Sequence, residues 1–397
     1  MNSLKLRIAK NIVLHIRRAF LSLLNGEPSW SKRQLGFWIN KFDNSSKYWN
    51  YPIINNSIRQ DCASLGVTIG NNISNLSGVH QLVAFLQAVE KPLRDILSEA
   101  TACDCSVLVN KEIEPTSYEN SGFEIIPEVF ETLKKKSLPG ISLFLHGSMA
   151  DHTYTAYSDV DDLVIVESSA WKDPKSLMNS ATLLTQLSRE YQNIDPLQHH
   201  GHWVVTEFDL LLYDQNYMPL IVLDEAIRII GKPEIKFRLI TDLGGFIDNA
   251  RLTIQAISQR IKVANQKGGI SAFDLKCLVG EIALLPAYIF QSRGNMLSKP
   301  EAISKAGELY TVKALKALQW STKVRNEFAP LVNNRRTNTI KNIAKLTCYK
   351  RNQAQNIHKK WSYWVSAKNS LGISPEIIET IKSFVEESNF LIKPYLS

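Results

Sequence analysis

The chain has 397 residues, of which 44% are apolar and 21% charged, a composition that supports a sizeable core and excludes a wholly disordered, collagen-like or coiled-coil protein. Its length predicts two or three domains. The 46 Lys and Arg residues outnumber the 38 Asp and Glu residues, and the formal net charge of +8 favours an anionic partner without specifying one.

The five cysteines are too scattered for a disulfide framework, which is typical of short, secreted, Cys-rich chains. We therefore expect a reducing compartment and a cytoplasmic protein. Cys103 and Cys105 form a Cys-x-Cys pair, but no matching His or Cys cluster follows at the spacing of a zinc site, so ordinary cysteines are favoured. The others are Cys62, Cys277 and Cys348.

Residues 1–26 predict a basic amphipathic helix, because lysines and arginines alternate with apolar residues and no acid intervenes. Charges interrupt every apolar stretch, which is not typical of a signal peptide. Packing of the apolar face on the rest of the protein is favoured over peripheral contact with an anionic membrane. No apolar run reaches the ~18 residues that span a bilayer, and we expect no transmembrane segment.

Residues 1–120 are predicted to form a helical N-terminal region, interrupted by loops rich in Asn and Ser. Its clearest helix is expected at 81–100, where apolar residues recur at helical spacing. The polar segment 111–122 is interpreted as a linker.

A different pattern begins at about residue 123. In chain order, we predict a helix, two apolar strands, a second helix and a third strand, which together indicate a small α/β sheet. These elements are expected at 125–136, 141–145, 160–166, 174–192 and 203–213. Beyond about residue 240 only helical periodicity is found.

The fold expected from this order is α+β: a small mixed-sheet catalytic domain at 121–238, flanked by helical regions at 1–120 and 239–397.

The segment after the first predicted strand carries the chemistry. Gly147 and Ser148 follow the strand and are expected to open a helix, where a glycine backbone and N-terminal amides suit phosphate oxygens. Asp159 and Asp161 are two residues apart on the next strand, so their side chains share a face. Two carboxylates held so close repel each other unless a cation lies between them, and Mg²⁺ is the natural occupant.

A third carboxylate from a neighbouring strand would complete a two-metal site. Glu207 and Asp209 share one face of the predicted strand at 203–213. Asp209 is preferred, because its apolar neighbours make a carboxylate without a function costly. Glu207 is the alternative.

Gly147, Ser148, Asp159, Asp161 and Asp209, in this order, resemble the signature of the DNA polymerase β-like nucleotidyltransferase superfamily. The resemblance implies transfer of a nucleoside monophosphate from a nucleoside triphosphate, ATP by default, to a hydroxyl acceptor. It also implies Mg²⁺ ions on the three aspartates and release of pyrophosphate. The chain departs from the family at 150–152, where many members carry Ala-Arg-Gly, and at Asp162, where an apolar residue is usual.

A second resemblance lies at 284–302, where Ser298-Lys299-Pro300-Glu301-Ala302 is similar to the helical domain of aminoglycoside adenylyltransferases. This implies that Lys299 faces the triphosphate. An exposed lysine in an ordinary helical turn is the alternative. The net positive charge does not suit a polycationic drug as acceptor, and favours an RNA terminus, a protein hydroxyl or an anionic metabolite.

Three further features leave alternatives open. Residues 312–368 carry 13 Lys and Arg against one acid, with interleaved aromatics, which is typical either of an RNA-binding surface or of a helical bundle with a solvated basic face. Arg351 and His358 resemble the ribonuclease motif of HEPN domains. His199, His200 and His202 are interpreted as loop residues rather than Mg²⁺ ligands. A non-catalytic module that binds nucleotide or RNA on the same fold remains the alternative to an enzyme.

Overall fold

A computed structural model describes residues 3–25, 51–101, 108–121, 128–136, 138–155, 158–194, 198, 201–270, 272–327 and 373–393. The predictions about Cys103, Cys105, Cys348, His199, His200, Arg351 and His358 lie outside these residues, as does most of the basic segment.

The N-terminal helices pack against the central sheet. They are α1 (Ser3–Leu24), α2 (Asn56–Ser64), α3 (Asn71–Ser74) and α4 (Gly78–Ser98). Along α1, apolar residues spaced three or four apart form one buried face, from Leu6 to Leu24. This face belongs to the same core as the central strands, so the prediction of internal packing is confirmed.

The strands form two sheets. They are β1 (Leu108–Ile113), β2 (Thr116–Ser117), β3 (Ile141–His146), β4 (Asp161–Val166), β5 (Trp203–Thr206), β6 (Tyr213–Asp214), β7 (Ile227–Ile230) and β8 (Ile235–Ile240). One sheet has the order β2-β7-β3-β4-β5 and the other the order β1-β8-β6. Both contain parallel and antiparallel pairs. The predicted α+β class with a mixed sheet is therefore confirmed.

The larger sheet is buried on both faces, which explains why β3 and β4 are continuous apolar runs rather than alternating ones. On one face, Leu143, Val164 and Val204 share a core with α1 and α4, together with α5 (Glu128–Lys135) and α6 (Pro174–Ile194). On the other face, Phe144 and Leu163 pack with the β8 side chains.

Two predictions about secondary structure are wrong. The segment 111–122 is not a linker, because β1 and β2 pair there with β8 and β7. The N-terminal region at 1–120 therefore contains these two strands besides its helices. The expected strand at 203–213 consists of β5, a short helix α7 (Glu207–Leu211) and β6.

The C-terminal helices form a separate core. They are α8 (Leu243–Lys267), α9 (Ala272–Ser292), α10 (Lys299–Ser304), α11 (Val312–Asn326) and α12 (Pro375–Ile392). Among the described residues, the segment Asp274–Ser292 of α9 has the length and hydropathy of a membrane-spanning helix, and 78% of it is buried inside the protein.

Candidate functional site

The turn after β3 is shorter than expected. Gly147–Met149 is one turn of 3-10 helix, and the amides of Ala150 and Asp151 donate to the carbonyl of Gly147 at 2.9 and 3.1 Å. A helix does begin at Gly147, as predicted, but it is limited to this single 3-10 turn. Any phosphate held here would meet individual backbone amides rather than the dipole of a long helix.

Asp161 begins β4, and its backbone is paired with that of His146 at the end of β3. Asp159 precedes the strand. Between them, the buried Gln198 side chain accepts from the Val160 amide at 2.9 Å and donates to the Val160 carbonyl at 3.0 Å. Gln198 thus gives Val160 the two bonds that a neighbouring strand would give, which keeps this segment extended and both aspartates on one face.

Gly147 lies next to Asp161. Its φ is +66°, a conformation that L side chains rarely adopt. A Cβ added there would lie 3.2 Å from the Asp161 Oδ2. Both the backbone conformation and the close approach therefore favour glycine, and the expected convergence of the Gly-Ser turn with the Asp-x-Asp strand is present.

A buried lysine of α9 lies against Asp159. Lys276 is only 1% exposed, and its ammonium donates to the Asp159 Oδ1. A lysine in an apolar interior is costly unless it is paired. The ion pair with Asp159 offsets the cost of burying the Lys276 charge, and it brings the C-terminal helices to the carboxylates.

Lys299 also reaches this site. It is the first residue of α10, after Ser298, which forms a capping box with Glu301. Burial, and then the neighbouring charge of Arg325 on α11, lower the pKa of Lys299, while Asp161, Asp151 and Asp159 act in the opposite direction. Lys299 is therefore a partly buried cation among carboxylates of the central domain.

Asp209 lies elsewhere. It is in the first turn of α7, where its Oδ2 accepts from the amide and hydroxyl of Thr206 at 2.7 and 2.8 Å. Its Oδ1 accepts from Arg17 of α1, with contacts of 2.9 Å to Nε and 2.6 Å to Nη2. Glu207, the reserve choice, is paired with Arg94 of α4. Both acids are therefore bound by arginines of the N-terminal helices.

The strand register separates Asp209 from Asp161. β4 and β5 are parallel, with Leu163 beside Trp203 and Val166 beside Thr206. Asp161 is thus at the start of this pair and Asp209 follows its end, about 17 Å further along at ~3.3 Å per residue. Among the described residues, no group of three His, Cys, Asp or Glu side chains could hold a metal ion. The structure therefore does not bring Asp209 to the Asp159–Asp161 pair, because α7 interrupts the expected strand.

Asp162 explains the departure from the apolar pattern. It is fully buried on the opposite face of β4, where its Oδ2 lies 2.7 Å from the His202 Nδ1 and accepts from the Tyr191 hydroxyl. The His202 Nε2 lies 2.7 Å from the Leu184 carbonyl oxygen. Burial disfavours the charged ring, but the Asp162 carboxylate and the Leu184 carbonyl favour it, and together they raise the pKa of His202. Since both ring nitrogens face acceptors, His202 is held as an imidazolium.

Asn25, the residue that follows α1, also holds His202 in place. The Asn25 Oδ1 accepts from the His202 amide at 2.7 Å, and its Nδ2 donates to the His202 carbonyl at 3.2 Å. A Cβ on Gly201 would collide with the Asn25 side chain. His202 is therefore a structural residue rather than a metal ligand.

The loop at 150–152 has one unusual backbone conformation. His152 has φ +58°, where the family pattern places glycine, and its Nε2 lies 3.1 Å from the Ser121 carbonyl oxygen. Asp151, at the position of the family's arginine, accepts from the amide and hydroxyl of Thr153 at 2.9 and 2.6 Å. The positive charge near this loop comes instead from Lys299.

Lys276, Gln198 and Arg325 were not identified from the sequence. The sequence of α9 does indicate a buried ion pair at Lys276, because this lysine lies in an apolar run, where a lysine is costly without a partner. For Gln198 and Arg325 the sequence gives no such indication, because their roles depend on contacts between distant segments.

Comparison with known proteins gives one result. Residues 126–214 match the family model described as a nucleotidyltransferase domain. A search of the curated proteins finds no match. The matched segment runs from α5 to β6 and includes the Gly147 turn and both aspartates. This part of the chain is therefore a nucleotidyltransferase domain of the DNA polymerase β-like superfamily.

Proposed function

We propose that the protein transfers a nucleoside monophosphate from a nucleoside triphosphate, with ATP as the default donor, to a hydroxyl acceptor. The acceptor oxygen forms a bond to the α-phosphorus, the bond from this phosphorus to the bridging oxygen breaks, and pyrophosphate leaves. Asp159 and Asp161 are the proposed metal ligands, and Gly147, Ser148 and Lys299 contact the triphosphate.

The observation that carries this proposal is the contact between the Gly147 turn and Asp161. It lies inside the segment that matches the nucleotidyltransferase domain. A Cβ on Gly147 would lie only 3.2 Å from the Asp161 Oδ2, so backbone amides for phosphate and a carboxylate for a cation are close together. Lys299 adds positive charge near Asp161, and Arg325 adds positive charge near Lys299.

The donor set suits a hard, oxygen-seeking cation such as Mg²⁺, because two partly exposed carboxylates lie on one face at the end of the sheet. Such an ion, when bound, would polarise the α-phosphate and stabilise the charge of the leaving pyrophosphate. The Gly147 turn orients the triphosphate, and Lys299 and Arg325 attract its terminal phosphates. Asp161 is the proposed acceptor of the hydrogen bond from the attacking hydroxyl.

The test is a transfer reaction with the purified full chain, each of the four α-³²P-labelled nucleoside triphosphates, Mg²⁺, and lysate fractions separated into RNA, protein and small molecules. We expect label in one fraction, which defines the acceptor class. Transfer should be lost in Asp161→Asn and retained in Asp248→Asn, a control on an exposed residue of α8 paired with Arg251.

Two outcomes would contradict the proposal. Transfer that persists in Asp161→Asn would remove the aspartates from the reaction. Tight nucleotide binding without transfer to any fraction would instead support the binding module.

A further inference from the structure

We propose that the ammonium of Lys276 takes the place of one metal ion, so that the site holds a single divalent cation next to the nucleotide. This inference rests on the proposed function and specifies its metal requirement. It assigns Lys276 as a positioning residue, which fixes the charge of Asp159 rather than contacting the reacting atoms.

The site has few carboxylates for two metal ions. A pair of metal ions about 3.5–4 Å apart needs several anionic ligands around it. In the part of the chain that the structure describes, Asp159 and Asp161 are not joined by a third metal-ligating side chain. The β5 residue beside this end of β4, Trp203, has no carboxylate.

The Lys276 ammonium lies where a second metal ion would bind Asp159. The Lys276 ammonium is bound to the Asp159 Oδ1, so this oxygen already has a cationic partner. The Asp159 side chain is 13% exposed and that of Lys276 is 1% exposed. Solvent therefore screens this ion pair weakly, and a second divalent cation at Asp159 would meet strong repulsion from the ammonium.

Lys276 is held in place by the buried residues around it. Leu275 and Leu278 beside it are buried in the C-terminal core, and Cys277 is buried with its thiol pKa raised by burial to about 12. The lysine thus lies in the second turn of a packed helix, α9, rather than in a loop. Its withdrawal from Asp159 would break an ion pair that solvent barely reaches, which is costly.

The experiment counts bound Mn²⁺. The full chain is titrated with Mn²⁺ in the presence of α,β-methylene ATP, which binds but cannot transfer its nucleotide, and free Mn²⁺ is measured by electron paramagnetic resonance. We expect one Mn²⁺ in total per complex of chain and analogue, counting the ion that the analogue's phosphates bind, and weaker binding of that ion in Asp161→Asn.

Lys276→Met removes the charge but keeps a long apolar side chain. We expect this variant to bind a second Mn²⁺, or to bind its Mn²⁺ about tenfold more tightly, because the repulsion at Asp159 is gone. Lys262→Met, on an exposed position of α8, should bind one Mn²⁺ with unchanged affinity. Lys276→Arg, which keeps the charge, should also bind one.

Two Mn²⁺ ions on the unmodified chain would overturn the inference, as would a Lys276→Met variant with unchanged number and affinity. If Lys276→Met fails to fold, the counts for the unmodified chain and for Lys276→Arg still decide it. Failure of the proposed function is distinguishable, because the Mn²⁺ count requires no turnover.

Discussion

The two ends of the β4–β5 pair carry acidic residues with the same spacing but opposite surroundings. At one end, Asp159 and Asp161 lie beside the Gly147 turn, and Lys276 and Lys299 of the C-terminal helices approach them. At the other end, Glu207 and Asp209 are bound by Arg94 and Arg17 of the N-terminal helices.

The two ends differ in what their carboxylates contact and in how exposed those carboxylates are. Both oxygens of Asp209 accept short hydrogen bonds, and the side chain is only 1% exposed. The Arg17 guanidinium also lies 4.2 Å from the centre of the Tyr217 ring. Asp209 therefore holds α1, α7 and β5 together. Asp161, in contrast, lies partly exposed beside a glycine turn, which suits a residue that binds a ligand.

The largest predicted effect separates the two ends by activity. Asp161→Asn should reduce the transfer rate about 1000-fold, since a charge that stabilises the transition state is lost. Its free energy of unfolding should change little. The measurement is the single-turnover rate together with urea unfolding. A variant that is unstable but active would assign Asp161 to the fold instead.

The next effect separates the ends by stability. Asp209→Asn should lower the free energy of unfolding by about 3 kcal/mol, because it leaves the buried Arg17 charge without its partner. The transfer rate per folded molecule should be unchanged. Urea unfolding of Asp209→Asn, Arg17→Met and the double variant measures the coupling between the two residues. Additive effects would contradict a direct ion pair.

The third prediction concerns pH and the buried pair on the opposite face of β4. The pKa of His202 is higher in the folded protein than in the unfolded chain. Its pairing with Asp162 therefore makes its full contribution to stability at pH values below the unfolded pKa of about 6.5. This contribution is lost as pH rises through the higher folded pKa. Without the imidazole, His202→Gln should therefore lack the decline, and should be less stable by about 2 kcal/mol at pH 6.

Urea unfolding from pH 6 to pH 9 measures this difference. Tyr191→Phe is the control, because it removes the hydroxyl that donates to Asp162 but keeps the histidine, so the decline should persist. Equal pH dependence in the unmodified chain and in His202→Gln would rule out the ion pair.

The smallest effect tests the glycine turn. Gly147→Ala and Gly268→Ala should each cost about 1 kcal/mol of stability, because both glycines have φ +66°. Only Gly147 lies close to another residue, Asp161, whereas nothing lies within 4 Å of a Cβ on Gly268. Gly147→Ala alone should therefore weaken Mn²⁺ binding. Equal Mn²⁺ affinity in the two variants would show that the close approach does not matter.

Local patterns predicted the core elements well. The spacing of apolar residues in α1 and the apolar runs of β3 and β4 depend on burial, which leaves a direct record in the sequence. The strands β7 and β8 were missed although Ile235, Phe237 and Leu239 alternate with charged residues along β8. That alternation is a strand signal, and its recognition would have placed the second sheet.

The site was only partly predictable for a different reason. The Gly147 turn and the two aspartates are close in sequence, so spacing alone indicated that they converge. Asp209 was misplaced because alternation does not distinguish a strand from a five-residue helix. Thr206 and Asp209 do form a capping box at the start of α7, and that pattern favours a helix. Lys276 depends on contact between two separate cores, which local patterns do not record.

The hydrogen bonds of Asn25 have a consequence for solubility. Among the strands that the structure describes, β5 is the last of its sheet, and a last strand presents backbone groups with which another molecule can pair. Asn25 binds both the amide and the carbonyl of His202, and the close packing against Gly201 leaves no space for another chain there. The N-terminal helix therefore also protects this sheet from joining with a second copy of itself.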